Sequence, residues 1–431
     1  MTDRSPLQEI EHLVQERARE LALDTDQDPA ALRVLVNETV ARWGIDHKRG
    51  LRPYPLNEPD RVAERALRNL TGYGPLAPLL ADDDVWEVMI NGPADIFVKR
   101  HRGPSGYHDE VFHDDDHVAR TLTKILHDAS TSHRKLDPSE GLQDAQLDDG
   151  SRLHIVHRDI GRGSHLIVNI RRFNGVAFHD LHQLVARDTL DQHVARFLTA
   201  CVRARSTIVF SGAPGSGKTT LLSCCCAELD PSLRVVVAEE VFEADVPVAN
   251  VASMQTRPGR ADRVEVDLRR LVAGFLRMAP DIAIVGEVRD REALPLLLTL
   301  SSGVKGFTTI HAGNARQALS RLRFVAQLAD VALPLSALNS LVSEAIDVVV
   351  HCTRTPDGPR VSEVLAVEDL AGGPDAAQFT TTPVFEREVV DGPLRWTGQI
   401  PVRLEHHLRR SGQDLVGLLN EGAGRSRVMA P

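Results

Sequence analysis

Apolar residues recur at helical spacing through the first part of the chain. Leu7, Ile10, Leu13 and Val14 share one face, as do Leu32, Leu35, Val40 and Trp43, so residues 6–44 read as helices. The proline-punctuated run from Arg52 to Pro59 ends that region, and a further helix is expected around 60–80. The pattern then shortens to strand length. Val85–Pro93 and Ile96–Lys99 read as a hairpin closed by Asn91-Gly92-Pro93-Ala94-Asp95, followed by a helix at 116–130 and strands near 152–157 and 166–172. A mixed α/β domain over 60–173 is expected, behind a helical extension at 1–50. From about residue 186 apolar runs alternate with helical ones: 207–210, 218–229, 234–238, 267–278, 282–285, 290–302, 307–310 and 314–328. Strands alternating with helices imply a parallel sheet with crossovers. A linker is placed at 174–186 and an α/β domain at 187–352. Beyond Val350 the turns at Thr355–Pro359 and Gly372–Asp375 break the pattern, and 353–431 reads as a small appendage of unassigned role.

The chemistry concentrates in the alternating region. Gly212, Ala213, Pro214, Gly215, Ser216, Gly217, Lys218 and Thr219 satisfy G-x-x-x-x-G-K-[ST], between the β-branched run Ser206–Phe210 and a helix beginning near Thr220. Glycines let backbone N–H groups turn onto phosphate oxygens, and the helix N-terminus adds its positive end. Lys218 supplies a point charge for the β- and γ-phosphates, and the Thr219 hydroxyl is a ligand for Mg²⁺. Glu287 ends the apolar run Ile282–Val285, where a carboxylate helps hold hydrated Mg²⁺; the alternative is a glutamate paired with Arg289. Glu239, Glu240 and Glu243 follow the strand after the P-loop helix. One of them orients an attacking water, or all three line a solvated turn. His311 closes the strand at 307–310, on the ligand side of such a sheet, as a γ-phosphate sensor or as a packing histidine.

Composition narrows the class. The 431 residues carry a formal net charge of −10, which argues against a protein that coats nucleic acid. Only six lysines occur, so arginine supplies nearly all the positive charge. The Asp114–Asp116 run and the arginines between Arg257 and Arg270 read as solvated faces. The pairs His154/His157 and His179/His182 lack a third ligand for a metal. No apolar run approaches the ~18–20 residues of a membrane span, and no apolar leader core follows Met1. Five cysteines without C-x-x-C spacing fit a reduced, cytoplasmic compartment.

The order P-loop, acidic box, Gly286-Glu287-x-Arg289 and Thr309-x-His311-Ala312 resembles the secretion ATPases of type II/type IV systems. Within them it is most similar to the tight-adherence (Flp) pilus assembly ATPases, the CpaF-like branch. Gly72–Leu80 (GYGPLAPLL), Glu87–Pro93 (EVMINGP), Asp144–Arg152 (DAQLDDGSR) and Ile170–Phe173 (IRRF) agree with it. The resemblance implies a RecA-like P-loop ATPase domain behind a mixed α/β domain, with ATP and Mg²⁺ as cofactors. It implies a homo-hexameric motor for pilus assembly or secretion, peripheral at the inner membrane through a platform protein and acting on pilin or secreted substrate indirectly. A conjugation ATPase and a nucleotide-gated scaffold with little turnover are the alternatives. The resemblance places the catalytic glutamate at Glu243, with Glu287 acting through Mg²⁺. It further implies that N-terminal arginines (Arg152 and one of Arg171 and Arg172) complete the site. Two departures stand out: Val304 replaces the first of two family histidines, and the four-cysteine zinc insertion is absent.

Overall fold

The structure is a computed structural model. It describes all residues except 1–4, 24–27, 102, 130–134, 173–177, 258, 260–263, 330, 332, 372–377, 388, 390–391 and 427–431, with side chains described up to 421. The chain separates into two compact units, Met1–Asn174 and Gly175–Pro431.

In the first unit, three helices form their own small core: α1 (Pro6–Glu20), α2 (Pro29–Lys48) and α3 (Pro59–Thr71). Each opens on a proline, whose missing N–H costs nothing at a helix start. Ser5 and Gln8 close a capping box on α1. Ile10, Val14, Leu32, Val36 and Trp43 pack together between the helices. The short α4 (Ala77–Leu80) then leads into β1 (Val85–Gly92), β2 (Asp95–Arg100), β3 (Gly106–Tyr107), α5 (Asp115–Asp128), β4 (Leu142–Gln146), β5 (Arg152–Val156) and β6 (Ile167–Arg171). The hairpin expected at Asn91–Asp95 is present, with Gly92 opposite Asp95. These strands form an antiparallel sheet in the order β3-β2-β1-β6-β5-β4. Val88, Ile90, Leu153, Ile155, Val168 and Ile170 share a core with Val118, Leu122 and Ile125 of α5. Strand alternation sends Glu87, Asn169, Arg171, Arg152 and His154 to the opposite face.

The second unit opens with α6 (Leu181–Val185), within the stretch expected as linker, and α7 (Gln192–Arg203). The alternation follows: β7 (Ile208–Gly212), α8 (Lys218–Cys226), β8 (Val235–Glu239), β9 (Val251–Gln255), α9 (Leu268–Val272), β10 (Ile282–Val288), α10 (Ala293–Ser301), β11 (Lys305–Ile310), α11 (Ala315–Gln327), α12 (Leu335–Ala345) and β12 (Val348–Thr355). Strands β12, β7, β11, β10, β8 and β9 lie side by side in that order, all parallel, with the P-loop strand inside the sheet.

The segment after 353 differs from its expectation as an appendage. Strands β13 (Gly358–Val367), β14 (Thr381–Glu386) and β15 (Arg395–Trp396) continue the same sheet antiparallel beyond β12. Helices α13 (Val402–Arg410) and α14 (Leu415–Ser426) follow, and Leu404, Leu408, Leu415 and Leu419 enter the core that also holds Phe210 and Leu222. Buried Asp347 anchors this end: it accepts from the Thr207 N–H at 2.7 Å, Lys305 at 2.9 Å and Arg403 of α13 at 3.0 Å. All five cysteines are reduced and buried; Cys201, Cys224, Cys225, Cys226 and Cys352 belong to the same core. Among the described residues no helix is long and apolar enough to cross a membrane.

Candidate functional site

The P-loop connects β7 directly to α8. Gly212, Gly215 and Gly217 have φ of 149°, 71° and 86°, backbone that only glycine adopts without strain. Gly217 caps α8 in the left-handed conformation, and Lys218, Thr219 and Thr220 form the helix's first turn. Lys218 is 7% exposed, and its Nζ donates to Ala213 O at 2.9 Å. Ala213 and Pro214 are exposed at the loop tip, whereas Ser216 is buried.

Strands β10 and β11 carry their C-terminal side chains to the same place. His311 Nδ1 lies 3.1 Å from Gly212 O and 3.3 Å from Lys218 Nζ. His311 Nε2 lies 2.6 Å from Glu287 Oε1. The other Glu287 oxygen accepts from Arg289 at 2.6 Å, and Arg289 also donates to Glu240 at 2.7 Å. Charges therefore alternate along Lys218, Glu287, Arg289 and Glu240, with His311 set between the first two. Burial alone would push the Glu287 carboxyl up; hydrogen bonds and charge from His311 and Arg289 outweigh it and hold the group down at about 2. Glu287 thus lies beside the P-loop through His311 and is paired with Arg289, the alternative the sequence offered.

The acids of the box differ in burial and in what they bond. Glu239 is 3% exposed and accepts from the N–H groups of Glu243 and Ala244 at 3.0 and 2.9 Å, so it shapes the loop. Its Cγ lies 2.8 Å from where a Cβ on Gly286 would stand, so Gly286 lets the acidic loop pack against β10. Ser223 of α8 also accepts from the Asp245 N–H at 3.0 Å. Glu243 is half-buried, with its backbone fixed by Glu239. The sequence could rank these acids only through family register. The sequence offered Arg289 as a partner for Glu287; its second bond, to Glu240, had no signal in the sequence, because it joins residues 49 positions apart. Val304 packs against the core of this unit.

Arg152, Arg171 and Arg172 belong to the first unit. Arg152 and Arg171 sit directly opposite each other on β5 and β6, with Glu87 opposite Arg171 on β1. Arg172 is engaged elsewhere: its guanidinium donates to the carbonyls of Leu79 and Asp82, at 3.3 and 2.5 Å. Phe173, next in that motif, lies outside the described residues.

Residues 69–366 match the family described as Type II/IV secretion system protein. The chain belongs to that family. Its P-loop fold and site accord with a secretion-system ATPase. A putative conjugal transfer protein of Mycobacterium tuberculosis is 31% identical over 313 residues, covering 70% of this chain and 86% of that protein. The type IV secretion system protein PtlH of Bordetella pertussis is 30% identical over 306 residues, covering 65% and 88%. Among solved structures, the VirB11 ATPase of the Brucella suis type IV secretion system, in complex with sulphate, is 24% identical with a TM-score of 0.37, covering 67% of this chain and 94% of that one. The Legionella pneumophila ATPase DotB is 16% identical with a TM-score of 0.49, covering 68% and 80%.

Proposed function

We propose that this family member is an ATP-hydrolysing motor, working as a homo-hexamer at the cytoplasmic face of the inner membrane and powering pilus assembly or protein secretion through a platform protein. The observation that carries the reading is the run of contacts from Lys218 through His311 to Glu287 at the P-loop, extended by Arg289 to Glu240 of the acidic box. The backbone of Gly212–Gly217 and the α8 N-terminus receive the phosphates, and Lys218 moves its ammonium from Ala213 O to them. Thr219 and Glu287 offer hard oxygen donors suited to Mg²⁺, and Glu287 is held anionic by its neighbours. Bound there, Mg²⁺ supplies neutralisation of charge on the β- and γ-oxygens. Glu243 orients and polarises the attacking water, with its backbone fixed by Glu239. His311 reports γ-phosphate occupancy to Glu287. Arg152 and Arg171 bring positive charge to the γ-phosphate from the first unit; the carbonyl contacts of Arg172 favour a structural role for it.

The CpaF-like branch remains part of this proposal, and genes for prepilins and platform proteins beside this one would support it. A second reading, an ATPase energising DNA transfer, is favoured by the conjugal-transfer relatives; a relaxase gene alongside would support that instead. Lys218→Ala is expected to abolish hydrolysis and weaken nucleotide binding in a steady-state phosphate-release assay, because the phosphates lose the loop's point charge. Unchanged turnover would sink the P-loop assignment. Wild-type protein that binds ATP without hydrolysing it would favour the scaffold.

A further inference from the structure

The hairpin of β12 and β13 runs past the end of the P-loop strand and stands beside the loop. Cys352 is the last β12 residue paired with β7, opposite Gly212. Thr353, Arg354 and Thr355 continue beyond it, paired with Arg360, Pro359 and Gly358. Three contacts join this hairpin to the loop. Cys352 O lies 2.2 Å from where a Cβ on Gly212 would be, and Pro359 Cβ lies 2.9 Å from the corresponding point on Gly217. Between them, Arg354 Nη1 donates to Gly215 O at 3.0 Å. All three loop glycines therefore meet one hairpin, and two of the contacting residues, Arg354 and Pro359, lie in the part of the chain the sequence left unassigned.

We propose that Arg354 is a positioning residue for nucleotide, holding the Gly215–Ser216 peptide so that its N–H stays turned toward the phosphates. A trans peptide is planar, with C=O and N–H on opposite sides. Fixing Gly215 O against the Arg354 guanidinium therefore directs the Ser216 N–H the other way. That N–H donates to Ala213 O at 3.3 Å, and Lys218 Nζ donates to the same oxygen at 2.9 Å. Two phosphate-binding donors thus converge on one neutral carbonyl. A phosphate oxygen is the stronger acceptor and competes with Ala213 O for both donors. Gly215, at φ 71°, flips more freely than any residue with a side chain would, and the Arg354 bond opposes that flip. The guanidinium also adds a permanent positive charge beside the loop.

The proposal rests on the ATP-binding reading above, and the experiment separates the two. Purified wild-type, Arg354→Ala, Arg354→Lys and Lys218→Ala chains are titrated with a fluorescent ATP analogue in Mg²⁺, assayed for turnover, and melted with and without ATP. Arg354→Ala is expected to raise Kd and KM about tenfold, the size of one lost charge-assisted hydrogen bond, while kcat falls less than about threefold. Its melting temperature without ATP stays near that of wild type, and the rise produced by ATP shrinks. Arg354→Lys, which keeps a charge and a donor, recovers part of the affinity. A wild-type Kd in Arg354→Ala, or a kcat loss at unchanged KM, would overturn the proposal. So would a fall in melting temperature without ATP that accounts for the whole loss of binding. Wild-type protein that fails to bind the analogue overturns the ATP reading itself.

Discussion

Glu239 and Glu243 stand four residues apart and are held differently. Glu239 is a buried acceptor for two backbone N–H groups, and removing it orphans both. Glu239→Ala is expected to cost about 2–3 kcal/mol of stability, read as a lower urea midpoint. Glu243→Gln should leave that midpoint in place and slow hydrolysis about 100-fold with ATP still bound. If Glu239→Gln is inactive while Glu243→Gln turns over normally, the assignments are reversed. Glu287 ties the same site to pH. Its carboxyl titrates at about 2 in the folded chain against an ordinary 4.5. The charged form therefore stabilises the fold fully above pH 4.5, and that contribution disappears as pH falls toward 2. The stability gap between wild type and Glu287→Gln should narrow over that window in urea titrations; a gap independent of pH would contradict the ion-pair account.

At the scale of elements, the sequence was most legible where hydrophobic period and turn chemistry agreed. Strands β7, β8, β10 and β11 and helices α8, α10 and α11 fall where the alternation placed them, because each buried strand is a short β-branched run. The P-loop was legible for the same reason, since its motif sits between a strand and a helix. β4 escaped because Leu142–Gln146 carries no β-branched residue, so only its pairing with β5 makes it a strand. The helix expected at 267–278 breaks after Val272 into a separate 3₁₀ turn, with Gly274 between the two. The hairpin of β12 and β13 was obscured by its Pro356–Gly358 turn, and its contacts with the P-loop are tertiary. Helices α13 and α14 were hidden by the polar residues around their few leucines. Yet Leu404, Leu408, Leu415 and Leu419 reach the main core, and Arg403 bonds the buried Asp347. A chain ending at residue 400 is therefore expected to be insoluble or to melt far below the full chain in circular dichroism. An equally stable truncated form would show these helices to be dispensable.

At the scale of the whole molecule, the core of the second unit is assembled from α6 through α14, so it forms only when distant parts of the sequence meet. Its cysteines turn that cooperativity into a measurable rate. Burial pushes the Cys224 thiol up to about 12, and lifts Cys225 and Cys226 well above the ordinary value. Alkylation needs an exposed thiolate. Iodoacetamide should therefore leave the native chain unmodified and label it only when this core opens, so that the labelling half-life acts as a clock for opening. ATP, by favouring the closed form, should slow the clock as its concentration rises. Fast labelling of the native chain, or labelling indifferent to ATP, would mean that these thiols open locally, apart from the nucleotide site. A surface cysteine introduced for a dye would carry almost no background from the five native ones.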